Sequence, residues 1–128
     1  MDERGSGTVL TLGLAAVALA MFASVALLAQ AVSARGATQA AADLGALAAA
    51  EHLMGASRVG PSPAAAAGTD AQSAACALAR EAVSLNGASL TGCAVLGDGV
   101  VQVTATRPGG LGMARASARA GPEPPDAD

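Results

Sequence analysis

Two cysteines are the residues of this chain best placed to do chemistry. Cys76 and Cys93 are separated by 16 residues, and the turn signal Asn86-Gly87 lies between them. A bridge closing a loop of that size would add roughly 3 kcal/mol in the chain-entropy account. The alternative is two buried free thiols, and an oxidising compartment favours the bridge. The spacing is not that of a two-cysteine redox motif. Two cysteines with one histidine also fall short of a structural zinc site.

The other polar residues make no catalytic set. His52, the single histidine, follows Glu51 near the end of a helical run. Catalysis would require a nucleophile and an orienting group beside it, and no GxSxG, HExxH, phosphate-binding loop or paired carboxylates occur. A surface histidine that interacts favourably with a helix C-terminus is the simpler reading. Asp43 stands in a run of small apolar residues, four after Gln39 and eight after Arg35. These three define a narrow polar stripe, either simply solvated or paired between subunits of a bundle. No enzyme, cofactor, metal or small-molecule substrate is expected, and a small envelope hydrolase lacks the polar constellation it would need.

Composition narrows the classes further. The chain has 128 residues, a formal net charge of −3 and seven basic residues, all of them arginine. They form no basic run, and Phe22 is the only aromatic side chain, which argues against nucleic-acid binding. Hydrophobic residues reach 52%, but most are alanine. Alanine buries little area, so a large core is not expected and close packing of helices through small residues is.

The elements follow from periodicity. Gly5 to Ala34 carries no charge between Arg4 and Arg35. About 20 apolar residues cross a bilayer core, so this segment is expected to be a transmembrane helix. Gly13, Ala16, Ala20 and Ser24 would permit close helix approach there. Ala29-Gln30-Ala31 also fits a signal-peptidase site, which would release a small secreted, disulfide-linked binding module starting at Val32. The helix is expected to continue from residue 35 to Met54, with Gly55 as its C-cap, giving a rod on the order of 70 Å from Thr8. Leu44 and Leu47 share a side of it, and alanine covers nearly all the rest. Such a rod suits packing among several like helices.

Residues 55–69 read as a linker broken by Gly60-Pro61-Ser62-Pro63. Thr69 or Asp70 would N-cap a second helix ending at Asn86-Gly87. Strands are then expected at Leu90–Leu96 and Val100–Thr106, joined by the tight turn Gly97-Asp98-Gly99. Pro108-Gly109-Gly110 would break the second strand, and a third would run from Ala114 to Ala120. The tail 121–128 is expected to be disordered.

Two blocks carry a family resemblance. The first is Arg4-Gly5-Ser6-Gly7-Thr8-Val9-Leu10, and the second is Gln39-Ala40-Ala41-Ala42-Asp43-Leu44-Gly45-Ala46-Leu47-Ala48-Ala49-Ala50. In this order, around an apolar helix, they resemble the N-terminal region of TadE/TadG-like proteins of Flp pilus assembly. The remainder, with Cys76, Cys93 and the hairpin, is similar to short actinobacterial TadE-like proteins encoded near pilus-type secretion genes. The resemblance implies a minor-pilin or pseudopilin-like role without enzymatic activity. Its partners would be membrane lipid, other pilin-like or Tad assembly proteins and further copies of the chain. It also implies candidate processing after Gly5 or Gly7, although Leu10 stands where pilin-like TadE sequences place a Glu.

The expected fold class is therefore α+β: a long N-terminal transmembrane helix continuing outside the membrane, then a short helix and a small antiparallel β-sheet. The expected divisions are 1–7 cytoplasmic, 8–34 transmembrane, 35–54 extracytoplasmic helix, 55–69 linker, 70–120 small α+β domain and 121–128 tail. The two cysteines place the C-terminal domain outside the cytoplasm and the N-terminus inside.

Overall fold

The computed structural model describes residues 6–59 and 68–122. The first element, α1, is a single helix from Ser6 to Val59, 54 residues long. At about 1.5 Å per residue it extends roughly 80 Å. No proline interrupts it, and alanine supplies high helix propensity along its length. The helix passes through Gly55, which does not cap it, and continues beyond Met54 to Val59. An added Cβ at Gly55 would meet nothing within 4 Å, so neither a turn nor a packing contact demands a break there.

The second helix, α2, spans Thr69–Leu85. Its N-cap is Gly68 in extended backbone, without a side-chain capping bond, and not Thr69 or Asp70 as expected. The Gln72 amide donates to the Gly68 carbonyl at 3.1 Å, so the first turn closes one residue earlier. Asp70 lies within that first turn, where a carboxylate complements the helix dipole.

Asn86-Gly87 ends α2 as the sequence implies. Gly87 has φ +69°, its amide donates to the Ser84 carbonyl, and the Ala88 amide donates to the Val83 carbonyl. This Schellman pair satisfies carbonyls the helix would otherwise leave open.

Three antiparallel strands follow in the order β1-β2-β3: β1 Ser89–Val95, β2 Val101–Gly109 and β3 Gly112–Ala120. The turn between β1 and β2 is a short 3-10 segment, Gly97–Gly99, with Asp98 at φ 62°. Asp tolerates this left-handed conformation better than most residues. Pro108 does not break β2 but pairs with Met113. It can do so because β1 pairing ends at Thr106, so beyond that rung β2 has an open side where a missing N–H costs no ladder bond.

Both helices pack on one face of the sheet. The core consists of the α1 residues Ala41, Ala42, Ala46, Ala49, Ala50 and Leu53, the α2 residues Ala75, Ala79 and Val83, Ala88, and the strand residues Val101, Val103, Ala105 and Ala118. The α1 residues recur at spacings of three and four, the ridge by which helices interlock. Leu44 and Leu47 lie on the opposite side of α1 and stay exposed. Along this part of α1 the inward face is built of small side chains until Leu53, while Leu44 and Leu47 face outward. The outer half of α1 is thus no bare rod, since its alanine stripe is already covered by α2 and the sheet of the same chain.

The other sheet face is polar. Gln102 pairs with Arg119 across the ladder and accepts a bond from its Nε at 2.9 Å. Thr104 and Ser117 pair likewise and share a hydroxyl bond of 3.0 Å.

Candidate functional site

The sites proposed from sequence fall on three parts of the molecule: the disulfide, the polar stripe of α1 and the apolar half of α1. Cys76 of α2 and Cys93 of β1 form a disulfide with their Cα atoms 5.9 Å apart. A register shift between Leu90 and Gly92 places Cys93 correctly for this. Leu90 and Cys93 are three apart, and strict alternation would put them on opposite faces. The bulge at Thr91 lets both pack against the core. The bridge then ties the outer end of the sheet layer to the helix layer, in a head whose largest fully buried side chains are Val83, Val101, Val103 and Thr38.

The polar stripe is resolved into bonds. Gln39 Nε2 donates to Asp43 Oδ1 at 2.9 Å and lies 3.5 Å from the Ser117 carbonyl oxygen. Asp43 therefore orients Gln39 towards the free edge of β3, while its own side chain stays exposed. Arg35 is exposed one turn earlier. His52 and Glu51 are both exposed at the far end of the helix. Among the described residues, no three His, Cys, Asp or Glu side chains gather as a metal-binding group.

The first half of α1 is apolar and stands clear of the head. An 18-residue window has a mean hydropathy of 2.4 and is 0% buried. Val9, Leu12, Leu14, Leu19 and Phe22 are each 70% or more exposed. This is a helix long and apolar enough to cross a membrane, and none of the described residues of the chain covers it. Ser24 donates to the Ala20 carbonyl at 2.8 Å, and Thr11 donates to the carbonyls of Gly7 and Thr8, each at 3.0 Å. These hydroxyls are satisfied within the helix, so they carry little penalty in an apolar surrounding. Gly13, Ala16, Ala20 and Ser24 fall on one face at 100° per residue. All four are exposed, and a Cβ at Gly7 or Gly13 would meet nothing within 4 Å. Gly5 lies outside the described residues, as do residues 60–67 of the expected linker and 123–128 of the expected tail.

Neither a family model, nor a curated protein, nor a solved structure matches the chain.

Two contacts escape sequence reasoning. Gly45 is a point of close approach between α1 and α2, where an added Cβ would be 2.7 Å from Val83 Cγ2, and it is hidden among look-alike small residues. The turn joining β2 to β3 reaches back along α1. A Cβ at Gly109 would be 3.2 Å from Ala34 Cβ, and one at Gly110 would be 2.9 Å from Gln30 Oε1. The glycines in that turn are the one signal for such close approach.

Proposed function

We propose that the chain is a single-pass, membrane-anchored protein of TadE/TadG-like type, a minor-pilin or pseudopilin-like component of a Flp/Tad-type pilus or secretion assembly. It works by helix packing and protein contact, with its N-terminus cytoplasmic and its disulfide-linked head outside. The observation that carries this reading is the uncovered apolar half of α1, continuous with a helix that is the backbone of a small α+β head. An anchor of this kind leaves its spanning half free for lipid and for neighbouring helices. Leu44 and Leu47, 46% and 47% exposed on the outer side of the same helix, extend the contact surface into the head. The disulfide supports an oxidising location for the head.

The secreted-module reading keeps one observation in its favour. The first buried residue of α1 is Thr38, so a chain starting at Val32 would retain every buried residue of the head and lose only the contact of the hairpin turn with Gln30. Membrane fractionation with intact mass and N-terminal sequencing, in a bacterium carrying Tad machinery, separates the two. An intact chain in the membrane, or one processed after Gly5 or Gly7, supports the anchor. Photo-crosslinks from Val17 and Leu44 to Tad components then test the assembly role. A soluble chain starting at Val32 would replace this reading with the secreted module.

A further inference from the structure

We infer that the tip of the β2–β3 hairpin is a second membrane contact, one that docks onto an anionic lipid surface beside the point where α1 emerges. This inference rests on the anchored reading of α1. Val9 to Leu28 is a 20-residue apolar stretch, the length of one hydrocarbon crossing. Gln30 follows after Ala29, at the level of the headgroups. The hairpin tip sits at this level, with Gly110 against Gln30 and Gly109 against Ala34. The head therefore does not stand away from the bilayer on its helix, because one corner of it touches the membrane plane.

The side chains at that corner suit lipid. Leu111 and Met113 are 65% and 66% exposed, at the turn and the second rung of β3. No described residue of the head buries them, and the turn that carries Leu111 meets α1 at Gln30, just past the apolar stretch. Around them the charge has one sign. The strands from Val101 to Ala120 carry Arg107, Arg115 and Arg119 and no Asp or Glu, although the chain as a whole has a net charge of −3. Arg115 is exposed within a few residues of the tip, Arg107 lies at the same end of β2 with its guanidinium towards Gly87, and Arg35 is exposed on α1 five residues beyond Gln30. An apolar tip within an arginine collar is complementary to acyl chains beneath a layer of lipid phosphates. The contact would fix the rotation of the head about the α1 axis, and so decide which face is turned to assembly partners.

The chain contains no tryptophan, so single substitutions give unambiguous fluorescent reporters. Phe22→Trp, Leu111→Trp and Leu96→Trp are each made in the full chain and reconstituted into phosphatidylcholine vesicles, with and without phosphatidylglycerol. Quenching by lipids brominated near the headgroup or deep in the acyl chain reads the depth of each. The expected result is deep quenching for Phe22→Trp, blue-shifted emission with shallow quenching for Leu111→Trp, and neither for Leu96→Trp at the opposite end of the sheet. Phosphatidylglycerol should increase the Leu111→Trp signal, and Arg115→Gln should lower the docked-to-undocked ratio roughly fivefold. A quenched Phe22→Trp with an unquenched Leu111→Trp would overturn the hairpin contact and leave the anchor standing. A blue shift at Leu111→Trp without quenching would also overturn it, because protein and not lipid would then cover the tip. An unquenched Phe22→Trp would remove the anchor itself.

Discussion

Gly45 of α1 lies so close to Val83 of α2 that a Cβ on Gly45 would stand 2.7 Å from Val83 Cγ2. The same Cβ would be 3.3 Å from the Ala79 carbonyl oxygen and 3.4 Å from Val103 Cγ1. The missing side chain is what lets both helices and the central strand meet at one point.

This gives a paired test at two glycines of one helix. Gly36 has nothing within 4 Å of an added Cβ. Gly36→Ala should therefore stabilise the chain by up to about 1 kcal/mol through helix propensity. Gly45→Ala gains the same propensity but forces a shift of a buried valine, and overpacking of this kind costs about 1–3 kcal/mol. Urea denaturation in detergent, followed by circular dichroism, should move the midpoint up for Gly36→Ala and down for Gly45→Ala. A higher midpoint for both would mean that α1 and α2 are not in contact at Gly45.

Loss of the Cys76–Cys93 bridge should be felt once. Cys76→Ser and Cys93→Ser should each destabilise the head by roughly 3 kcal/mol, and the double variant should lose no more than either alone. The same denaturation assay measures all three. Additive losses would show two independent thiols.

Asp43 is expected to matter to assembly more than to folding. Its bond with Gln39 is an exposed pair one helical turn apart, a class of interaction that contributes about 0.2–0.5 kcal/mol. Asp43→Ala should leave the denaturation midpoint nearly unchanged while reducing crosslinks from Leu44 to partner helices. A large stability loss with unchanged crosslinks would assign Asp43 to the fold alone.

The anchor can be tested by a single charge. Leu14 is 73% exposed within the apolar half of α1. An arginine near the centre of a spanning helix costs about 2.5–3.5 kcal/mol for insertion. The segment is rich in alanine, which contributes little to offset that. Leu14→Arg should move the chain out of the membrane fraction, and normal retention would count heavily against the anchor.

The long apolar helix, the second helix ended by Asn86-Gly87 and the three strands were legible in the sequence. Each is specified locally, by uninterrupted apolar character, by a glycine that must take positive φ, or by alternation. Which face of α1 turns inward was not legible. Alanine lies on every side of it, and Leu44 and Leu47, the large residues that would normally mark a core stripe, point outward. The approach of α2 at Gly45 marks the buried face, where the missing side chain admits Val83. The reach of β2 through Pro108 was decided in the same way, since only the end of β1 pairing frees the side where proline lacks its N–H. The cysteine pair was visible as a possibility. That it closes depends on the bulge at Thr91, one extra residue that turns Cys93 to the side of the sheet where Cys76 waits. Local sequence specifies the elements and the length of the apolar helix. Tertiary packing decided the faces, because in an alanine-rich chain shape and not hydrophobicity distinguishes one side of a helix from the other.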